Sequence, residues 1–422
     1  MLDIDMFRKN ADAIKDSERR RFKDPTKVDE VLRLDSEWRD ALKQLELLRN
    51  KRNIVSEEIN KMKKEGKEGI QGKIEDMRNV NREISELEKR CEELLAQRDA
   101  VRYGIGNILH KDVPVAKDES GAKTVREWGK IEEKPFKPKS HVDLLLERKL
   151  IDIDTAGEIS GARFYFLKGE LVRLNFALIN YAMDFLINEG YTPMHTPFIM
   201  RKEYMKRAAE LSDFENTLYK IDGEDAFLIA TAEQPLASYY ADKILNEEEL
   251  PIKLAGFSTN FRKEAGAHGK DTKGIFRVHQ FEKVEQYIYC LPEESWDWHE
   301  KLIRTSERLI QGLGLPYRVV DIASGDMNDN AARKYDIEVW MPVQNTYREL
   351  VSCSNTTDYQ ARKMNVRVLR KSGEKQVVHT LNSTALATER TIVAIVENFQ
   401  NEDGTITIPR ALRKYMDSKD RI

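Results

Sequence analysis

The chain has 422 residues, of which 40% are hydrophobic and 34% charged, with a formal net charge of -3. That length suggests two or three domains with a packed core and a heavily charged surface. The near-neutral balance excludes a bulk electrostatic grip on nucleic acid, so any such contact must come from local charge.

Cys91, Cys290 and Cys353 stand far apart and form no CxxC pair, which fits a reducing compartment. No apolar run approaches the roughly 20 residues of a bilayer span. The N-terminus, MLDIDMFRKN, carries no signal-peptide pattern. A cytoplasmic protein with no membrane contact is expected.

Between about 27 and 102 the chain has no proline, and Pro25 stands at its entrance. Val31, Leu34, Trp38, Ala41, Leu45, Leu48, Val55, Ile59 and Met62 recur at alternating steps of three and four, broken only by Arg52. This is a heptad seam. The glycines of KKEGKEGIQGK (63–73) then stop the helix and turn the chain. A second series follows in Met77, Val80, Ile84, Leu87, Cys91, Leu94 and Val101, with Arg98 out of pattern. The spacing predicts two helices, about 27–64 and 71–102, folded into an antiparallel hairpin with arms roughly 55 Å long at 1.5 Å rise per residue.

Such a hairpin suits a spacer or dimerising coiled coil. It also suits a nucleic-acid arm, because Arg49, Lys51, Arg52, Lys61, Lys63, Lys64, Lys67, Lys73, Arg78 and Arg82 line it, partly offset by acids such as Glu57, Glu58, Glu65, Glu68, Glu75 and Asp76. Pattern alone leaves both readings open. From 104 to 140 the periodicity dissolves into turn chemistry and prolines, and the stretch reads as a linker with one or two short strands.

A second domain is expected over 141–422. ELVRLNFALINYAMDFLINE (170–189) has helical spacing and stops at Gly190. IKLAGFSTNFRKE (252–264) and IFRVHQFEKVEQYIYC (275–290) alternate apolar and polar residues like paired strands. A helix at 293–312, the strands PYRVVDIAS, KYDIEVWMP and YRELVSCSN, and a last helix in TALATERTIVAIVENFQ complete an α+β pattern with antiparallel strands. Neither GxxxxGK[ST] nor a GxGxxG after a strand is present, so a nucleotide would need another cradle. One is on offer between the paired strands. The loop in TNFRKEAGAHGKDTKGIFRVHQFEKVEQ (259–286) is rich in Gly, Lys and His and starts beside Arg262. Glycine lets backbone approach a ligand closely, and arginine presents a planar charged fork to phosphate.

Those residues resemble motif 2 of a class II aminoacyl-tRNA synthetase, in the form found in seryl-tRNA synthetases. TAEQPL (231–236) resembles that family's amino-acid loop, and YRELVSCSNTTDYQARKM (347–364) its metal- and ATP-binding strand. LNSTALATERTIVAIVENFQ (381–400) resembles motif 3, GYTPMHTPF (190–198) motif 1, and the helical hairpin the family's N-terminal arm. The resemblance covers nearly the whole chain. It implies a class II antiparallel-sheet catalytic domain at 141–422 and a tRNA-binding domain with a coiled-coil arm at 1–103.

The activity implied is serine–tRNA ligation: L-serine and ATP give seryl-adenylate and pyrophosphate, and serine then passes to the 3′ end of tRNA(Ser), and of tRNA(Sec) in organisms that have it. By the same resemblance Arg262 contacts the α-phosphate, Glu264 holds the adenine amino group, and Phe276 or Val278 forms one face of the adenine slot. Arg390 covers the other face or the γ-phosphate. Lys263, Leu350 and Val351 belong to the same ATP-binding stretches. Glu349 and Ser352 match Mg²⁺ ligands, a donor pair suited to a hard cation. Glu285 accepts from the serine hydroxyl, Thr231 and Glu233, with Ala232 between them, fix the amino group, and Arg262 and Thr384 complete the serine pocket. Thr384 keeps a hydroxyl where most members have serine between two glycines, which Ser383 and Ala385 replace here in an archaeal-like variant. The scattered histidines and cysteines argue against the zinc-dependent seryl subtype. A homodimer is implied, with 170–200 at the interface and one subunit's arm serving a tRNA on the other. Two other readings stand beside this one: a ligase that loads a carrier protein, whose members lack the arm, and a silent paralogue that only binds.

Overall fold

The computed structural model describes residues 1–66, 69–210, 213–264 and 273–422. It divides into two compact units. One comprises 2–19 and 23–106; the other comprises 107–422 with Met1 and 20–22.

In the first unit α1 (Ile4–Arg20) precedes two long helices, α2 (Thr26–Glu65) and α3 (Ile70–Tyr103). Pro25 stands at the N-cap of α2, where its missing N–H costs nothing. Gly66 ends that helix in the left-handed region, φ 63°, and its N–H returns to the Met62 carbonyl, a conformation open to glycine at little cost. The two seams meet. Leu34, Ala41 and Leu45 pack with Val80, Ile84, Cys91 and Leu94.

Arg98, the residue that breaks the second series, is buried. Its Nη1 donates to Asp35 Oδ1 at 3.0 Å, and its guanidinium lies 5.2 Å from the Trp38 ring centroid. Asp35 also accepts from Arg8 at 2.8 and 2.9 Å. Along the sides, Arg49 bonds Glu88 across the helices at 2.7 Å and Lys73 pairs with Glu58. Part of the basic character expected there is therefore spent within the arm. Lys67 and Glu68, read as part of its tip, lie outside the described residues.

The second unit is built on an eight-stranded sheet. Its strands are β1 (Lys123–Trp128), β2 (Thr192–His195), β3 (Ile252–Phe261), β4 (Gln280–Cys290), β5 (Tyr317–Asp321), β6 (Arg333–Met341), β7 (Thr346–Thr357) and β8 (His379–Ala387), in the order β1-β5-β6-β7-β8-β4-β3-β2. Every neighbouring pair is antiparallel except β2 with β3. The stretch 104–140, expected as a linker with short strands, supplies β1 to one edge of this sheet.

Period-two alternation gives the sheet two unlike faces. Val284, Ile288 and Cys290 of β4, and Ile337, Val339 and Met341 of β6, join a large core with the helices α4 (Glu170–Asn188), α5 (Ser295–Leu313) and α6 (Thr388–Phe399). On the other face Tyr287 and Tyr289 pack into a second core with Leu236, Met364 and Val366. Beyond the reach of that core, this face carries Lys283 and Glu285 of β4 and Lys334 of β6 into an open cavity.

Candidate active site

The cavity measures about 380 Å³ and draws its walls from β4, β6, β7, β8, the start of α6 and the ends of the β3–β4 hairpin. Two β-bulges explain why its donors converge. On β7, Ser352 pairs with Asp336 and Glu349 with Glu338, and the register shifts between them. Residues three apart on a regular strand face opposite ways; the added residue, Leu350, brings Glu349 and Ser352 to one face. On β8, Thr384 pairs with Glu285 and Ala387 with Lys283, with the extra residue at Ala385. Thr384 and Ala387 therefore share the cavity face, although they too are three apart.

One end of the cavity is small and densely hydrogen-bonded. Glu285 is 1% exposed and ion-paired with Lys283. Lys283 Nζ also donates to Thr231 Oγ1 at 2.8 Å, and that oxygen accepts from the Glu233 amide at 3.2 Å. Glu233 Oε1 accepts from Gln360 Nε2 at 2.9 Å. Burial raises the Glu285 carboxyl above its ordinary range, and Lys283 only partly opposes this. Burial, then the charge of Glu285, pushes Glu233 up to about 7. Thr384 closes this end.

The other end is cationic. Arg262 follows β3 directly, donates from Nε to the Ala230 carbonyl at 3.2 Å and lies 5.0 Å from the Phe281 ring centroid. Arg390, in the first turn of α6, donates to the Glu349 carbonyl at 3.0 Å, approaches its carboxylate to 3.6 Å and lies 5.2 Å over the Phe276 ring. Glu264 pairs with Arg277 at 3.7 Å. Desolvation by the cavity walls works to raise the Glu349 carboxyl, although its side chain is still 44% exposed, and Arg390, Lys334 and Arg262 hold it below the ordinary range, so it is an anion at neutral pH.

Glu349 and Ser352 present a carboxylate and a hydroxyl on one surface. Beside them the buried Oδ1 of Asp336 accepts no hydrogen bond. Among the described residues no group of three or more His, Cys, Asp or Glu side chains could hold a metal ion. The donor set therefore fits a hard cation that takes most of its ligands from water and from phosphate oxygens.

Of the residues singled out in the sequence, Thr231, Glu233, Arg262, Glu264, Phe276, Val278, Glu285, Glu349, Leu350, Ser352, Thr384 and Arg390 line the cavity. Ala232, Lys263 and Val351 are not among its lining residues. Ala232 is buried in the second core, Val351 faces the helices opposite Ile337, and the Lys263 amide is engaged with the Thr217 carbonyl. The strand expected from 275 begins at Gln280, so Phe276 and Val278 reach the site from the irregular stretch before it. The glycine-rich centre of the hairpin, 265–272, lies outside the described residues. Sequence reading passed over Phe281, Lys283, Lys334, Asn382 and Glu389, which also line the cavity. The alternation of K and E in EKVE was a usable signal for Lys283. Glu389 carried none: its carboxylate accepts from the Glu282 amide at 3.1 Å and from Tyr165 and Thr388, a set of partners that only the fold assembles.

Comparison with known proteins places these features. The seryl-tRNA synthetase N-terminal domain family matches residues 1–109, and the tRNA synthetase class II core domain family (G, H, P, S and T) matches 217–399. A serine–tRNA ligase of Methanosphaera stadtmanae is 49% identical over 420 residues, covering 99% of both chains. One of Pyrococcus horikoshii is 46% identical over 100% of this chain and 97% of its own. Among solved structures, the seryl-tRNA synthetase of Pyrococcus horikoshii complexed with ATP superposes with a TM-score of 0.93 at 46% identity, covering 100% of this chain and 99% of that one. The cytoplasmic serine–tRNA ligase of Naegleria fowleri in complex with AMP gives 0.88 at 42%, covering 100% and 98%.

Proposed function

The chain belongs to the seryl-tRNA synthetases, ATP-dependent serine–tRNA ligases with a class II core, and we propose that it charges tRNA(Ser) through the cavity described above. The observation that carries this division of labour is the contrast between its ends. A buried carboxylate, a second carboxylate and two threonine hydroxyls stand at one end; arginines and an exposed carboxylate stand at the other.

Serine fits the first end. Its hydroxyl donates to Glu285, and its ammonium group takes Glu233 and Thr231. A site built to bond a hydroxyl rejects an analogue lacking it by about 10⁴-fold, because the buried polar groups are left unpaired. ATP occupies the second end, with Arg262 at the α-phosphate, Glu264 at the adenine amino group, the adenine between Phe276 or Val278 and Arg390, which must first lift from the Phe276 ring it covers at 5.2 Å, and Lys263, Leu350 and Val351 shaping the strand ends around it.

Glu349 and Ser352 would hold Mg²⁺, which when bound neutralises phosphate charge. A serine carboxylate oxygen bonds to the α-phosphorus as the bond from phosphorus to the bridging oxygen breaks, and the electron pair leaves with pyrophosphate. Arg262 meets the charge that gathers on the α-phosphoryl oxygens. Positioning does most of the rest. A hydroxyl of the terminal ribose of tRNA then attacks the adenylate carbonyl and AMP departs.

The domain 1–103 would supply the tRNA contact through the arm's cations that remain free for phosphate, reading shape and backbone. The linker 104–140 and the catalytic domain 141–422 complete the assignment. A homodimer with 170–200 at its interface, a cytoplasmic location and use of tRNA(Sec) follow the same reading. The test is ATP–pyrophosphate exchange with Mg²⁺ and each of the twenty amino acids in turn. Exchange with serine alone is expected; no exchange with any of them would return the chain to the class of silent binders.

A further inference from the structure

Behind the serine end, a buried chain of neutral hydrogen-bonding groups leads to Glu233. Glu233 opens a short helix, Glu233–Ser238, and lines the cavity. Gln360, on another short helix, Tyr359–Met364, is buried and is not among the cavity's lining residues. Its Nε2 donates to Glu233 Oε1 at 2.9 Å, and its Oε1 accepts from the Tyr287 hydroxyl at 2.5 Å. The Thr380 hydroxyl approaches the same Oε1 at 3.4 Å and pairs with that of Thr356 at 2.7 Å. Tyr287, Thr380 and Thr356 are buried and stand on β4, β8 and β7, three neighbouring strands.

We propose that Gln360 is a positioning residue for serine: its amide, locked by Tyr287, aims the Glu233 carboxylate at the substrate's ammonium group without neutralising it. The proposal rests on the ligase reading above. A phenol has one hydrogen to give, and burial raises Tyr287 well above its ordinary range, so that hydrogen stays in place. It goes to Oε1. Turned over, the amide would set its carbonyl oxygen against the Glu233 carboxylate, two acceptors with no hydrogen between them. The orientation is therefore fixed, and Nε2 faces Glu233. That the donor is uncharged decides what the carboxylate can still do. A lysine or arginine in its place would answer the charge from within the protein, as Arg8 and Arg98 do at Asp35, and would leave less for an ammonium group. An amide holds the geometry and leaves the charge to the substrate.

Gln360→Met keeps the length of the side chain and removes the donor. In serine-dependent exchange by the full-length enzyme, KM for serine should rise about ten-fold at pH 7, the scale of one hydrogen bond to a charged group, with KM for ATP within about two-fold. Glu233 loses a bond that favours its charged form, so the pH at which KM for serine levels off should move up by about one unit. Glu285, Lys283 and Glu210 also act on the charge of Glu233, and Arg262 and Glu264 line a cavity with it; all stay in place in this variant. Tyr287→Phe, which unlocks the amide, should move both readouts in the same direction by about three-fold, and it carries the test if Gln360→Met fails to fold. Coincident thermal melts establish folding. A pH profile that stays put in either folded variant, or a KM for ATP that rises in step with that for serine, overturns the proposal and leaves Gln360 as packing. Wild-type enzyme lacking exchange altogether overturns the ligase reading itself; wild-type exchange beside an unmoved profile overturns the role of Gln360 alone.

Discussion

In the arm, Asp35 is 1% exposed and three guanidinium groups hold it: Arg8, Arg39 and Arg98, at 2.8, 3.2 and 3.0 Å. In the sheet domain, Glu285 is as deeply buried, with Lys283 as its ion-pair partner. Burial pushes both carboxyls upward; Arg8 and Arg98 outweigh it at Asp35, which ends below the ordinary range, while Glu285 ends above it. The first charge is completed by its own chain and serves the scaffold. The second is left short of partners in a cavity, which is how a protein keeps a place for a ligand.

The comparison breaks most visibly at Glu285. Glu285→Ala should lower kcat/KM for serine in exchange by about 10³- to 10⁴-fold, the cost of losing a hydroxyl-reading contact, and leave ATP affinity nearly unchanged. Equal loss of both would show that Glu285 is scaffold after all. Asp35→Ala leaves the buried Arg98 with Asp99 as its remaining carboxylate partner, and should cost the arm about 1.5–3 kcal/mol, the worth of hydrogen bonds to a charged group, seen as early loss of helix on heating with exchange intact. Because its folded-state pKa is depressed, the stability Asp35 provides is present above the unfolded carboxyl range and is lost as pH falls through the folded value. If Asp35→Ala melts with wild type, the triad of arginines is ornament.

Deleting 30–100 sharpens the contrast at the level of whole regions. Adenylate formation should survive, since the sheet domain has its own core, while tRNA charging should fall about 10²-fold or more, the scale of losing several phosphate contacts. Charging that persists at low tRNA concentration would take the reader's role from the arm. The smallest effect is a pH profile. Glu233, pushed up to about 7, must be ionised to hold the serine ammonium group. KM for serine should therefore fall about ten-fold per pH unit as pH rises toward 7, then level off. Glu233→Gln should flatten that profile; a slope that remains belongs to another group.

The arm was legible because a heptad is a local pattern. Val31 to Met62 and Met77 to Val101 announce two helices without knowledge of anything distant. Even so, Arg98 looked like a fault in the second series, since its partner Asp35 lies 63 residues away. The cavity was legible in a different way. Resemblance pointed to twelve of its lining residues, because family motifs carry them as strings. It missed Lys334 in KYDIEVW, although Lys334 and Asp336, charges at alternate positions of an apolar strand, are a sign of a face turned toward something polar. It also named Ala232 and Val351, neighbours in sequence whose side chains point into the two cores. Adjacency along the chain does not tell which face a strand residue takes once a bulge intervenes.

That bulge has a consequence for how the site can change. A strand counts in parity: odd one way, even the other. Leu350 and Ala385 each add one to the count, and Glu349 shares the face of Ser352, and Ala387 that of Thr384, only because of it. No substitution, however large or small, alters parity; only gaining or losing a residue does. The cavity is thus tunable in chemistry but quantised in layout, and a single-codon deletion at 350 would swing Glu349 to the helix side of the sheet while leaving every other letter of the motif in place.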